Sequence, residues 1–108
     1  ALQSRSDLVQ AGESPSGISR LIERQVKLLI RAKSLKESGI RVPEISKRLS
    51  LFGYPLQKTL EQEKLISFRE LRVMHNHILA SELRVRSGRM DEMSSLQTLI
   101  AEIGTILV

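Results

Sequence analysis

The stretch SPSGISRLIERQVKLLIRAKSLKESG, residues 14–39, decides the fold that the sequence predicts. Ser14 and Pro15 are residue types preferred at the N-cap and at the first position of a helix, and Gly39 suits the left-handed residue that follows a helix. The apolar residues between them recur at helical spacing. The sequence therefore predicts one long helix from Pro15 to about Ser38.

The apolar residues of this helix cover more of its circumference than a surface helix needs. At 100° per residue they span roughly 220°, against about 100° for a helix with one buried side. They are Ile18, Leu21, Ile22, Val26, Leu28, Leu29, Ile30, Ala32 and Leu35. Two interpretations fit this arc: the helix is surrounded by its neighbours in a bundle, or part of the arc meets a partner.

The remaining side of the long helix is basic. It carries Arg20, Arg24, Lys27 and Arg31, and Glu23 precedes Lys27 by one turn, at the spacing of an ion pair. A solvated cationic stripe is the simpler interpretation; contact with a partner subunit or with phosphate is the functional one. The candidate contact residues are Arg20, Arg24, Val26, Lys27, Ile30 and Arg31.

Two short helices are predicted next. One extends from Pro43 to about Ser50, and the other from Pro55 to about Lys64, with Leu56, Leu60 and Leu65 facing inward. The pair resembles a helix-turn-helix, whose second helix would present polar side chains to DNA bases. That helix has both suitable and repelling residues, namely Gln57, Lys58, Gln62 and Lys64 against Glu61 and Glu63. A DNA-binding module is therefore the alternative function.

Two further helices complete the predicted bundle. Ser67 and Glu70 have the spacing of a capping box and begin a second long helix that ends near Gly88, and Asp91 caps a last amphipathic helix. A weak helix is also predicted over residues 1–11. No stretch alternates as a half-buried strand does. The prediction is an all-α protein, a single helical bundle of about five to six helices.

Composition excludes several kinds of site. The chain has no cysteine, so it has no disulfide, thiolate zinc site or Cys nucleophile, and a reducing cytoplasm is expected. No apolar run approaches the roughly 20 residues of a membrane span. Phosphate-binding and nucleophile-elbow motifs are absent. We therefore expect no membrane association, no cofactor, no small-molecule substrate and no catalytic residue.

Two groups on the second long helix invite a chemical interpretation. His75 and His77 are two residues apart and point about 200° from each other, so they cannot share a metal ion. His75 is predicted to be partly buried and hydrogen-bonded. Glu82 and Arg86 have the spacing of a structural ion pair at the end of the helix.

Seven short segments of the chain occur in a characteristic order and spacing. They are residues 12–15 (GESP), 22–33 (IERQVKLLIRAK), Gly39, 42–45 (VPEI) with Leu49, 54–55 (YP), 66–71 (ISFREL) and 82–88 (ELRVRSG). In this order they resemble the C-terminal domain of the delta subunit of the bacterial DNA polymerase III clamp loader, over nearly the whole chain. The family usually has Asp in place of Glu82, Lys in place of Arg86, and a Gly earlier than Gly53.

The resemblance implies a role in assembly. Residues 1–108 would be a single domain of the clamp-loader collar type, a fragment of a longer chain without its AAA+-like N-terminal domains. The domain would pack with the gamma/tau and delta-prime subunits in a collar, and would meet the sliding clamp and primed DNA through the whole complex. It would be non-catalytic, although the parent holoenzyme is a DNA-directed DNA polymerase, a nucleotidyltransferase.

Overall fold

The computed structural model describes residues 14–107, which form five α-helices and no strand. This confirms the all-α prediction. The helix predicted over residues 1–11 lies outside the described residues. The helices are α1 Pro15–Glu37, α2 Val42–Leu49, α3 Gly53–Leu65, α4 Phe68–Arg86 and α5 Glu92–Leu107.

The ends of α1 follow from its flanking residues, as predicted. Ser14 Oγ accepts a hydrogen bond from the Gly17 N–H at 3.0 Å, which satisfies one of the donors left unpaired at a helix start. Gly39 has a φ of +79°, and the Ile40 N–H donates to the Leu35 carbonyl at 3.1 Å. This left-handed residue and hydrogen bond form a Schellman motif, which stops the helix.

The second half of the chain begins its helices as predicted. Ser67 Oγ accepts from the Glu70 N–H at 3.1 Å while Glu70 Oε1 accepts from the Ser67 N–H at 2.9 Å, which completes the capping box of α4. Asp91 Oδ2 accepts from the Ser94 N–H at 3.3 Å at the start of α5. Both caps act within one turn, so the local sequence is sufficient to specify them.

The connection between α2 and α3 departs from the prediction. α3 begins at Gly53, two residues before Pro55, where a φ of +63° is accessible to glycine without steric cost. α2 ends at Leu49, and Ser50, the residue that follows it as the C-cap, also has a positive φ, of +53°. Ser50 is the one non-glycine residue with positive φ in the described part of the chain.

The inward side of α3 also differs from the prediction. Leu65 is 82% exposed, so its predicted inward position is wrong, whereas Leu56 and Leu60 are partly buried. The helix turns Thr59 and Glu63 inward, each 4% exposed. Leu65 follows Glu63 by about 200° of helical rotation, so it does not share the buried side of α3 with Glu63 and lies instead at the rim of an apolar groove between α1 and α3.

α1 is the centre of the bundle, because it contacts each of the other four helices. Its buried residues belong to two separate apolar clusters. The large cluster joins α1 to α4 and α5, and the small cluster joins α1 to α2, with Leu56 and Leu60 of α3 beside it. The large cluster comprises Ile18, Ile22, Val26, Leu29, Leu71, Met74, Ile78, Leu96, Leu99 and Ile103; the small one comprises Ala32, Ile45 and Leu49.

The helices also bear on the question of membrane association. No helix within residues 14–107 has both the length and the apolar character needed to cross a bilayer.

Candidate interaction surface on the long helix

The basic stripe, defined as Arg20, Arg24, Lys27 and Arg31, lies on the exposed side of α1. Lys27 Nζ is 3.3 Å from Glu23 Oε1, which forms the predicted ion pair one turn apart. Arg31 Nη2 donates to the Arg48 carbonyl of α2 at 3.0 Å. Arg20 and Arg24 make no hydrogen bond or ion pair with another residue of 14–107. Two guanidinium groups of the stripe are therefore available for an external partner.

The two apolar candidates on α1 do not share this surface. Val26 is 5% exposed within the large cluster, and Ile30 is half-buried against the same cluster. Val26 lies one turn beyond Ile22 and faces α4 and α5 with it, so its side chain is used in the fold. Because Val26 is buried here, the exposed part of the candidate surface consists of the four basic residues, and contact of Val26 with a partner stays a prediction.

Beside the basic stripe, two carboxyl groups meet across a helix interface. Glu23 of α1 and Glu82 of α4 share a hydrogen bond, which lowers the pKa of Glu23 and raises the pKa of Glu82. Partial burial further raises the pKa of Glu82, while the positive charges of Arg86 and Lys27 act against the rise. This arrangement favours one proton held between the two groups, with Glu82 as the donor.

The predicted ion pair between Glu82 and Arg86 is not formed. The positive charge of Arg86 still acts on Glu82 through space. The two side chains are not among the ion pairs of residues 14–107, which have a nitrogen and an oxygen within 4.0 Å of each other. The reason is that Glu82 turns toward Glu23 on the neighbouring helix. Sequence spacing within α4 could not indicate this, because Glu23 is far away along the chain.

A second group of polar contacts joins α4 to α5 through Glu102. His77 Nδ1 lies 2.7 Å from Glu102 Oε2, and Arg84 Nη2 donates to Glu102 Oε1 at 3.4 Å. His77, rather than His75, is therefore the histidine with a close carboxylate partner. The sequence analysis missed Glu102, although His77 and Arg84 are seven residues apart and so lie on one side of α4.

A buried ion pair joins α1 to α3. Lys33 Nζ donates to Glu63 Oε1 at 3.1 Å and to the Glu63 carbonyl at 2.8 Å, and it lies 5.9 Å from the centre of the Phe68 ring. The side chains of Lys33 and Glu63 are 13% and 5% exposed. Lys36 Nζ is 3.9 Å from the other Glu63 oxygen. These contacts hold α3 against α1.

The helix-turn-helix candidate loses part of its polar surface to the same interface. Gln62 Oε1 accepts a hydrogen bond from Gln25 Nε2 at 2.8 Å, and Glu63 is buried. Gln57, Lys58 and Lys64 remain exposed, with Glu61 beside them. Gln62, weighed for DNA contact, and Glu63, weighed as repelling phosphate, are thus both used in holding α3 to α1.

Residues 14–107 contain no group of three or more His, Asp or Glu side chains placed to hold a metal ion. The described residues form a helical bundle in which polar contacts join neighbouring helices, and the central helix has a basic outer side. Together these features define a small all-helical domain with a charged surface. A family model described as "DNA polymerase III delta subunit, C-terminal domain" matches residues 1–103, and the chain belongs to this family.

The chain is also similar to a curated protein of this name. It is 24% identical over 103 residues to DNA polymerase III subunit delta of Bacillus subtilis (strain 168). The match covers 95% of this chain and 30% of that protein, so the chain spans less than a third of the length of the relative. No solved structure matches the chain.

Proposed function

We propose that this domain is an oligomerisation, or collar, domain of the DNA polymerase III clamp loader. In this role it packs with the corresponding domains of the gamma/tau and delta-prime subunits in the cytoplasm. It thereby supports loading of the sliding clamp onto primed DNA during replication. The domain itself takes part in no chemical step of nucleotide addition, which belongs to the polymerase of the parent holoenzyme.

The observation that carries this proposal is a shallow cleft lined by residues of α1 and α4, together with exposed leucines on the outer side of α4. Arg20 of the basic stripe lines one shallow cleft with Glu82 and Arg86 of α4. On α4, Leu79 and Leu83 are one turn apart and are 48% and 58% exposed. Arg86 is three residues after Leu83 and seven after Leu79, so it lies on the same side of α4 as these leucines, and apolar and basic groups are neighbours on the outside of this helix.

This combination fits the usual composition of a protein interface. The centre of an interface is apolar and depleted in charge, whereas its rim is polar and solvent-accessible, and arginine is enriched overall. Leu79 and Leu83 supply the apolar part, and Arg20 and Arg24 supply the rim. Cations at the rim mainly accelerate association and make it sensitive to salt.

The experiment measures association of the 108-residue chain with the other loader subunits by gel filtration and calorimetry. Leu79→Asp with Leu83→Asp places two charges at the proposed interface centre and should abolish the complex. Arg20→Glu with Arg24→Glu should slow association and reduce its salt dependence. Neither pair of residues belongs to the buried clusters, so the variants should keep the helical content of the parent chain.

Matched controls separate the surface from a general effect of charge. Phe52→Asp changes an apolar residue that is 68% exposed at the start of α3. Arg41→Glu with Lys47→Glu makes the same charge change at exposed positions at the start of α2 and within it, away from α4. The controls should assemble like the parent chain. Failure of the parent chain to associate with any loader subunit would refute the collar role.

A further inference from the structure

The outer side of α4 carries arginine and leucine side chains but no carboxylate. Between Arg69 and Arg86, the residues that fall within one arc of about 100° are all exposed. The stripe therefore combines positively charged and apolar groups along almost the whole length of the helix. This arc, the arginine–leucine stripe, consists of Arg69, Arg72, Asn76, Leu79, Leu83 and Arg86.

Both acidic residues of α4 are engaged outside the stripe. Glu70 Oε1 accepts a hydrogen bond from the Ser67 N–H at 2.9 Å in the capping box, and Glu82 shares a hydrogen bond with Glu23 of α1. Arg69 and Arg72 make no hydrogen bond or ion pair with another residue of 14–107. The helix itself therefore leaves the positive charge of the stripe unbalanced.

The neighbouring part of α1 adds positive charge at one end of the stripe. Arg20 of α1 lines one shallow cleft with Arg86, and the exposed Arg24 follows Arg20 by one turn. Glu92 of α5 also lines this cleft, but it forms none of the ion pairs of residues 14–107. A molecule that covers the stripe must therefore supply negative charge to complement these arginines.

The two leucines indicate that this molecule is a protein. Leu79 and Leu83 are 48% and 58% exposed, and they lie between Arg72 and Arg86 along the helix. The phosphates of a nucleic acid would satisfy the arginines but would leave the leucines without apolar contacts. A protein surface can supply apolar side chains for the leucines and carboxylates for the arginines at the same time.

The shape of the stripe matches one side of a second helix. From Arg69 to Arg86 it is about 26 Å long at a rise of 1.5 Å per residue, and it is one helix side wide. Leu79 and Leu83 are one turn apart, Arg86 is one turn beyond Leu83, and Arg72 is two turns before Leu79. An antiparallel helix would match this order with apolar residues at about i and i+4 and carboxylates at about i−3 and i+11.

We propose that the arginine–leucine stripe binds an acidic amphipathic helix of a neighbouring loader subunit. The partner helix lies along α4, with apolar side chains on Leu79 and Leu83 and carboxylates beside Arg72 and Arg86. This inference rests on the proposed collar role and adds the chemistry of the partner to it. The leucines form the centre of the contact, and the arginines select an acidic helix over a neutral or basic one.

Charge reversal in the 108-residue chain tests the proposal against the loader subunits by calorimetry. Arg72→Glu with Arg86→Glu should weaken association at least about tenfold at low salt, because two attractions become repulsions. The difference should shrink at about 1 M salt, where the Debye length is about 3 Å. Arg41→Glu with Lys47→Glu makes the same charge change on α2 and should leave association unchanged.

The outcomes separate this inference from the collar role. If the parent chain associates and the double arginine variant associates equally well, the acidic helix is refuted while the collar role stands. If the parent chain associates with no loader subunit, the collar role itself fails, and the inference fails with it. Circular dichroism verifies that each variant keeps the helical content of the parent chain.

Rescue from the partner side identifies the acidic residues. Exposed Asp and Glu residues of the subunit that binds are changed to Arg one at a time. Substitutions at two positions about fourteen residues apart on one helix should each restore part of the binding of the Arg72→Glu, Arg86→Glu chain. The same substitutions should not restore a chain with Leu79→Ala and Leu83→Ala, which lacks the apolar contact. If no substitution restores binding, the proposal is overturned.

Duplex DNA is the competing occupant, and fluorescence anisotropy with a labelled duplex measures its binding to the same variants. The Arg72→Glu, Arg86→Glu chain should lose association with the loader subunit in the absence of DNA, and added duplex should not restore it. A loss of duplex binding in this variant, with subunit association unchanged, would assign the stripe to nucleic acid and overturn the proposal.

Discussion

Lys33 of α1 and Glu63 of α3 form an ion pair inside the bundle, with 3.1 Å between Nζ and Oε1. Both side chains are largely removed from water, so each charge depends on the other for stabilisation. The pair joins residues that lie thirty positions apart in the sequence. It fixes the rotation of α3 about its own axis, which is the feature of the fold that local sequence predicted least well.

Lys33→Met should destabilise the domain by about 3 kcal/mol, because it leaves the Glu63 carboxylate buried with only the more distant Lys36 nearby. Urea denaturation measures the change in free energy of unfolding. Lys27→Met removes a lysine from an exposed ion pair and should cost less than about 1 kcal/mol. Lys33→Met with Glu63→Leu should recover most of the loss. Equal effects of the two lysine substitutions would contradict the structural role.

Ser50→Gly should stabilise the domain. Ser50 has a φ of +53°, a conformation that is strained for residues with a Cβ atom but not for glycine. After the entropy that glycine adds to the unfolded chain, a gain of about 0.5 to 1 kcal/mol remains. Thermal unfolding measures it. Ser38→Gly is the matched control, since Ser38 also ends a helix but has a φ of −78°. A gain at both positions would show that strain at Ser50 is not the cause.

Glu82→Gln should raise stability at neutral pH by less than about 1 kcal/mol. The hydrogen bond with Glu23 raises the pKa of Glu82 above its ordinary value of 4.5. A carboxyl group whose pKa is raised by folding stabilises the fold fully at lower pH, and this contribution is lost as the pH rises through the raised value. Glutamine keeps a donor for Glu23 without a charge to lose. Urea denaturation measures the free energy of unfolding at a series of pH values from 4.5 upward. This free energy should depend less on pH in Glu82→Gln than in the parent, whereas the exposed Glu61→Gln variant should show the same pH dependence as the parent.

Asp91→Ala should lower the melting temperature at neutral pH, and the difference from the parent should shrink as the pH falls. Hydrogen bonds from Ser94 lower the pKa of Asp91 below its ordinary value of 3.8. Stability from such a group is present above the ordinary value and is lost as the pH falls through the lowered one. Asp91→Asn keeps a cap acceptor and should lose less. Melting curves that differ from the parent by the same amount at every pH would contradict this account.

The sequence was sufficient to predict features that act within one or two helical turns. Ser14, Ser67 and Asp91 cap helices as predicted, and Gly39 ends α1 in the expected conformation. Each of these depends on hydrogen bonds between residues three to five positions apart, so the local order of residues specifies them. The helix content and the central position of α1 followed from these signals and from the wide apolar arc.

Features that depend on how helices rotate against each other were not predictable in the same way. Leu65 was expected inside and lies outside, and Glu82 was expected to pair with Arg86 but faces Glu23. The four residues of the basic stripe share one helix, so helical periodicity was sufficient to predict that they lie on one exposed side, while their contact with a partner stays a prediction. Val26, by contrast, is buried. Which residues of a wide apolar arc are buried depends on where the neighbouring helices pack, and the sequence of α1 alone does not indicate this.

The presence of α1 in both apolar clusters has a consequence for how the domain unfolds. Leu29 belongs to the large cluster and Ala32 to the small one, less than one helical turn apart. Melting only one cluster would require a junction between helix and coil inside that turn, where neighbouring backbone hydrogen bonds form cooperatively. The two ends of the bundle are therefore thermodynamically coupled through a shared backbone, and residues 14–107 should exchange their most protected amide hydrogens in a single global opening.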